Sequence, residues 1–371
     1  MDREKPVLIA AASGRALAAG ARRAGYLPLV ADGFGDQDTL AEAGRHVRVD
    51  FVRPINGDRL MAALQTLAHG RNCAGIVCGS GFEDRADLLG KIARRWPLLG
   101  NRPETIARLK DPLEFAQTCR AAKIPHPESS LVPAADLTDW LVKRVGGAGG
   151  WHVVPADRSE TRDKDVYFQR RVKGQPVSAL LLGNGNSALV LGFSAQWTAP
   201  TLRHPFRYGG AVRPAPLSED VEQAMVAAVR RLVAKIPLVG LNSADFVVDG
   251  DAFQLLEVNP RPGATFDLFE PEEASLFALH VDACHGTLPA SAPRYRAAMA
   301  GAIVYAEREI AATPALDWPE WTADRSLAGV CIEAQQPVCS VFARGETAYA
   351  ARQLVEQRST RVHALLAAGM Q

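Results

Sequence analysis

Residues 6–12 read PVLIAAA, an unbroken apolar run, and the following SGRALAAGARRAGY shifts its apolar positions to helical spacing, with Gly25 as the stop. A strand, a turn and a helix are predicted. The cycle returns in LPLVADG, in HVRVDF followed by GDRLMAALQTLAHG, and in CAGIVCGSGFED, where the strand AGIVC runs into Gly79-Ser80-Gly81. Repeated βα units of this length predict a parallel, doubly wound sheet over residues 1–108. Neither SGRALAAG nor CGSGFED has the G-x-G-x-x-G spacing that brings a backbone against a pyrophosphate, so the pattern argues against a dinucleotide site. Glu83, Asp84 and Arg85 fall at the carboxyl ends of the strands, where open α/β sheets hold ligands. They read equally as a charged helix start and as substrate contacts, with Glu83 the candidate.

Beyond residue 108 the pattern changes. NRPETIARLKDPLEFAQTCRAAKIPHPES carries two amphipathic helical patterns closed by Pro125 and Pro127. DWLVKRVGGAGGWHVV then joins an apolar strand start to two cations and four glycines. The alternating stretches VYFQRRV and SALLLGNGNSALVLGFSAQW predict antiparallel strands, the second folding as a hairpin around Gly183-Asn184-Gly185-Asn186. SEDVEQAMVAAVRRLVAK reads as a helix capped by Ser218, and SADFVVDG and AFQLLEVN as two strands joined at Asp249-Gly250-Asp251. The last 75 or so residues suggest a small β-rich unit closed by a helix. No internal repeat or low-complexity tract is seen.

The chemistry concentrates in QLLEVNPRPG. Side chains two residues apart on a strand project to one face, so Glu257, Asn259 and Arg261 form a polar row at a strand end. The turn at 249–251 brings Asp245 beside them. Two carboxylates and an amide oxygen on one face are hard ligands that suit Mg²⁺ or Mn²⁺. Composition agrees with small-molecule chemistry: 371 residues, 47% apolar and 22% charged, describe a globular chain of two or three domains. A net charge of +1 gives no electrostatic reason to expect nucleic acid or an anionic membrane. The six cysteines are scattered without metal-finger spacing and read as reduced thiols, and no span approaches ~18 apolar residues, so a cytoplasmic protein is expected.

Taken together, these motifs resemble the ATP-grasp superfamily of ligases over most of the chain. Lys110 in ARLKDPLEF is similar to the first nucleotide lysine of that superfamily, and Lys143 in LVKRVGGAGGWHV to the second, ahead of a phosphate-covering loop at 146–150 with Gly146, Gly147, Gly149 and Gly150. VYFQRRVKGQPVS resembles the hinge strand that reads adenine, which implies nucleotide roles for Gln169 and Val172. Many relatives have Gln-Glu at the hinge; here Gln169 is followed by Arg170. The resemblance implies an α/β and α+β molecule: a Rossmann-like parallel-sheet domain at 1–108, an ATP-grasp domain at 109–295 and a small β-rich C-terminal unit at 296–371. It implies ATP with Mg²⁺ or Mn²⁺ held by Asp245, Glu257 and Asn259, and Arg261 facing a developing acyl phosphate. Within the superfamily, the tail ADRSLAGVCIEAQQPVCSVFARGE resembles predicted ATP-dependent carboligases, some found near C1-carrier cofactor biosynthesis in methylotrophs.

The implied reaction joins a small-molecule carboxylate to an amine. For the acceptor, Arg203, His204 and Arg207 in FSAQWTAPTLRHPFRYGGAVRPAP are candidates, because a long irregular loop with three cations can grip a carboxylate; the same loop reads equally as solvated surface. A biotin-carboxylase-like carboxylase and a nucleotide-binding protein without catalysis are the competing readings. The four glycines predict a loop that orders only on phosphate. A homodimer stays open.

Overall fold

The computed structural model describes residues 4–51, 55–159 and 165–369. Four parallel strands, β1 (Lys5–Ala11), β2 (Tyr26–Asp32), β3 (Arg45–Arg48) and β4 (Ile76–Cys78), form the first sheet in the order β3-β2-β1-β4. Helices α1 (Arg15–Arg23), α2 (Gln37–Glu42), α3 (Gly57–Ala68) and α4 (Ala86–Ala93) connect and follow them. The run PVLIAAA is apolar on both faces because both are covered: Val7, Ile9 and Ala11 pack with Leu17, Ala18 and Ala21 of α1, while Leu8 and Ala10 pack with Leu60 and Leu64 of α3. Asn56 caps α3 by accepting from the Arg59 amide at 3.1 Å, and Leu60, Ala63, Leu64 and Leu67 give it one buried stripe.

Two helices, α5 (Pro103–Lys110) and α6 (Pro112–Ala121), both begin with proline and meet at Asp111, whose carboxylate accepts from the Leu113 and Glu114 amides to cap α6. A small antiparallel sheet follows, β5 (Ser129–Ser130), β6 (Trp140–Arg144), β7 (Val154–Pro155) and β8 (Val166–Arg170), ordered β5-β8-β6-β7. The glycine loop joins β6 to β7.

The third sheet is the spine of the molecule. Its strands are β9 (Gln175–Asn184), β10 (Ala188–Thr198), β11 (Tyr208–Arg213), β12 (Val239–Asp249), β13 (Ala252–Asn259), β14 (Ala298–Tyr305), β15 (Thr322–Ala323) and β16 (Pro337–Gly345), ordered β13-β12-β9-β10-β11-β14-β16-β15. Helix α7 (Glu219–Val233), capped by Ser218, packs Met225, Val229 and Leu232 against Ala179, Leu181 and Phe246. On the opposite face lies α8 (Leu276–Cys284), whose Phe277 and Val281 share a core with Leu180, Leu182 and the underside of the first sheet. Helix α9 (Ala348–Gly369) covers β14 and β16 through Val355, Val362 and Leu366. The C-terminal strands therefore continue the central sheet without a break, β11 pairing with β14 from Gly210↔Ala302 to Arg213↔Met299.

A buried ion cluster ties the first and last parts of the chain. Arg15, at the start of α1, grips both oxygens of Asp267 at 2.6 and 2.7 Å and donates to Asp324 at 3.1 Å. Asp324 also accepts from Ser13 and Ser340, and Asp38 accepts the Asp324 and Arg325 amides. Among the described residues no helix is long and apolar enough to cross a membrane.

Candidate functional site

Strand pairing brings the polar row together. Asp245 of β12 lies opposite Glu257 of β13, Ser243 opposite Asn259, and Asp245 opposite Ser178 of β9, so Ser178, Asp245 and Glu257 form one line across three strands. The Ser178 hydroxyl donates to Asp245 at 2.6 Å, and the Asn259 amide donates to the other Asp245 oxygen at 2.8 Å. Lys110, the last residue of α5, reaches down on this line: its ammonium donates to Glu257 and to Asn259 Oδ1, each at 3.1 Å. The four polar groups read from the sequence thus converge. Ser178, which the sequence reading passed over, joins them from a strand some seventy residues upstream.

The electrostatics follow from that crowding. Burial, reinforced by the Glu257 charge, pushes the Asp245 carboxyl up. Burial would raise Glu257 as well, but Lys110 and Lys143 pull it below the usual carboxylate range. Two carboxylates and an amide oxygen on one face, one carboxyl driven up by its neighbour, form a donor set that a divalent cation would relieve; the residues fit the hard metal their chemistry implies.

The small sheet supplies the opposite wall. Lys143 of β6 faces Tyr167 of β8, with Gln169 diagonal to it on the same face. Lys143 is buried and donates to Gln169 Oε1 at 3.0 Å; its ammonium also lies 5.9 Å from the Tyr167 ring centre. Between the two sheets opens a pocket of about 370 Å³, lined among others by Lys110, Gly147, His152, Tyr167, Gln169 and Glu257. Val172 lies just past β8, half-buried, outside that lining.

The glycine loop closes over this pocket and is held from both ends. Gly146 rests against Asp84, and Gly150 passes so close to Phe206 that an added Cβ would stand 1.9 Å from the Phe206 carbonyl oxygen. Gly150 also has φ +73°, so position 150 excludes a side chain twice over. The Tyr208 amide donates to the Gly149 carbonyl at 2.9 Å, and His204 Nδ1 donates to the Trp151 carbonyl at 2.8 Å.

The remaining candidates divide. Arg261 lies past the end of β13 and donates to Glu83 at 2.7 Å; Glu83, 4% exposed, also accepts from the Gly81 amide. This pair links the metal-type row to the carboxyl end of the first sheet. It borders a second, mainly apolar cavity near Cys78, Phe82, Leu99 and His280, where Asn101 fastens the Pro260 carbonyl at 3.0 Å. Arg203 is exposed at a loop tip. His204 and Arg207 are engaged: Arg207 donates to the Ala199 and Gln335 carbonyls and stacks 3.7 Å above the Tyr305 ring centre.

The comparisons with known proteins bear on this architecture. Residues 109–265 match the family model described as the ATP-grasp domain. The chain carries an ATP-grasp domain. It resembles the biotin carboxylase domain dimer of 2-oxoglutarate carboxylase from Hydrogenobacter thermophilus, solved with MgADP, ADP and bicarbonate, at TM-score 0.73 and 12% identity over 93% of this chain and 87% of that one. It resembles the L-amino acid ligase of Bacillus licheniformis at TM-score 0.69 and 14% identity over 96% and 97%. These likenesses show a common fold. The carbamoyl phosphate synthase large chain of Rubrobacter xylanophilus is 24% identical over 217 residues, which is 52% of this chain and 20% of that protein, so the match spans about a fifth of that relative.

Proposed function

We propose that the chain is an ATP-dependent ligase that activates a small carboxylate as its acyl phosphate and passes the acyl group to an amine. The observation that carries this reading is the convergence of Lys110, Asp245, Glu257 and Asn259 on one face of the β12–β13 hairpin, with Lys143 and the glycine loop across the pocket. In this reading Lys110 and Lys143 hold phosphate oxygens, the backbone of Gly146 to Gly150 covers them, and Gln169 and Val172 lie at the base. Asp245, Glu257 and Asn259 would hold Mg²⁺ or Mn²⁺, which supplies charge neutralisation for phosphoryl transfer. Arg261, oriented by Glu83, steadies the carboxylate being activated, so that its fork acts where negative charge grows. The acceptor enters beside Glu83 and Arg261. The likeness to a carboxylase domain crystallised with bicarbonate supports a second reading, in which bicarbonate is the carboxylate activated. That relative is a dimer, and a homodimer is part of the proposal.

The test is release of ADP and phosphate from ATP across a panel of carboxylates, amines and bicarbonate, with hydroxylamine added to trap acyl phosphate as hydroxamate. Amine-dependent turnover with hydroxamate formation supports the ligase; turnover with bicarbonate alone supports the carboxylase. Arg261→Ala should lower turnover about 10²-fold with nucleotide affinity nearly unchanged. A variant that loses ATP affinity and keeps its turnover would make Arg261 a nucleotide anchor and overturn its place in the reaction.

A further inference from the structure

His152, two residues past the glycine run, belongs to no role assigned above. Its ring lies on Gly147 so tightly that an added Cβ there would be 2.3 to 2.4 Å from Cγ, Cδ2 and Nδ1. That edge of the ring is therefore sealed by the loop. Nδ1 is buried and has no hydrogen-bond partner among the described residues. The opposite edge, carrying Nε2, leads away from Gly147, and His152 lines the same pocket as Lys110, Tyr167 and Glu257.

The orphaned nitrogen sets the tautomer. A proton on Nδ1 would be sealed away from any acceptor, whereas a proton on the edge that faces the pocket can be given to a ligand, so the proton belongs on Nε2. A charged ring is disfavoured too, because burial and the nearby Lys143, Arg144 and Lys110 push its pKa down to about 4 against the pull of Glu257. The result is a neutral N–H donor fixed beside two lysines at the phosphate end of the pocket. Such a donor adds recognition of an anion without adding another charge to a site already crowded with cations.

We infer that His152, through Nε2–H, is a phosphate-contacting residue that reads the β- and γ-phosphates of the nucleotide. The inference rests on the nucleotide reading proposed above and deepens it: a side chain, and not only glycine backbone, selects the triphosphate. The same geometry explains why position 147 is glycine, since any side chain there would displace the ring.

The experiment is calorimetric titration of the full chain with ATP, with inorganic triphosphate and with AMP, for wild type, His152→Ala and His152→Gln, with thermal melting as a check on folding. Glutamine places an N–H near the position of Nε2. His152→Ala should weaken ATP and triphosphate by about 10-fold or more and AMP by less than about 2-fold, the scale of one hydrogen bond to a charged group. His152→Gln should stay within about 3-fold of wild type for all three. Equal losses for ATP and AMP, unchanged ATP affinity in His152→Ala, or no recovery in His152→Gln would overturn the inference and leave the nucleotide site standing. Wild-type protein that binds none of the three probes would overturn the nucleotide reading and this inference with it.

Discussion

Trp151→Ala tests whether the glycine loop is fastened by the protein itself. The Trp151 ring lies 4.8 Å from His204 and 5.9 Å from Tyr305, both edge-on, and the Arg207 guanidinium stands 5.3 Å from its centre. Each aromatic pair contributes about 0.5–1.5 kcal/mol and the cation about 0.5–1 kcal/mol, and because the partners touch one another the sum is less than additive. Roughly 2 kcal/mol is then lost from the closed loop, which raises its open fraction about 30-fold. The bonds from the Tyr208 amide to the Gly149 carbonyl and from His204 Nδ1 to the Trp151 carbonyl survive the change, so the loop should loosen without the fold dissolving. Hydrogen exchange of residues 146–152 is the assay, since exchange through local opening scales with the open fraction. Exchange should quicken about 30-fold in this segment alone and slow again when ATP is added; Trp151→Phe, which keeps a ring, should fall between. Unchanged exchange, or faster exchange spread over the whole chain with a matching drop in melting temperature, would refute the latch.

Three further outcomes are expected. Glu257→Gln should remove the magnesium-dependent part of ATP affinity, about 10-fold or more, and leave magnesium-free binding and the circular dichroism spectrum nearly unchanged; an unaltered magnesium titration would remove Glu257 from the metal set. Arg15→Met strips two carboxylates of their partner, and because Asp267 and Asp324 are about a quarter exposed, the loss in urea unfolding should be about 2–4 kcal/mol at neutral pH. Burial would raise the Asp324 carboxyl, but Arg15 and the hydroxyls of Ser340 and Ser13 hold it below its ordinary value, so this stabilisation is present at neutral pH and fades as pH falls through the folded-state value. The gap between wild type and Arg15→Met should therefore close in acid, and a gap that widens there would refute the pairing. Asp36 is the opposite case: burial, then Asp324, Asp32 and Asp38, push its carboxyl up to about 8, so ionising it destabilises the fold increasingly as pH rises to that point. Asp36→Asn should gain over wild type by about 1.4 kcal/mol per pH unit above about pH 4 and level off near pH 8; a gain independent of pH would show that the group is already ionised.

The difference between what the sequence discloses and what it hides follows from the range of the interactions. The hairpin itself was legible from period-two alternation and a two-residue turn, which set the pairing from Asp249↔Ala252 to Phe246↔Leu255; continued unbroken, that register would place Leu256 opposite Asp245, and a bulge after Asp245 brings Glu257 there instead. The βα repeats of the first sheet were legible because local patterning alone specifies them. The bulge after Asp245 left no trace in the residue pattern. The Arg261–Glu83 pair spans 178 residues and the Arg15–Asp267 pair 252, separations over which spacing carries no information. The glycine loop shows the same limit from the other side. Its composition predicts a segment awaiting phosphate, whereas contacts that hold it come from residues 204–208, whose cations read equally as acceptor ligands and as solvated surface.

Alternation along β8 divides its side chains between the pocket and the outer face of the small sheet. In β8, Tyr167 and Gln169 share the face that lines the pocket, and Gln169 is 2% exposed with its carbonyl on Lys143. Alternation sends Arg170 to the other face, where its guanidinium lies 5.3 Å from the Trp140 ring centre and donates to the Thr138 carbonyl at 3.3 Å. Arg170 therefore points away from the pocket and braces the outer side of the small sheet. In the proposed reading the base is met by Gln169 and by backbone beyond residue 170, and the contribution of Arg170 is mechanical. Arg171 continues the logic, its guanidinium 5.7 Å from the Phe206 ring centre, so that the hinge touches the same loop that fastens the glycines. The end of β8 and the glycine loop therefore both rest on residues 204–208, so a displacement of either is passed to the other through that segment.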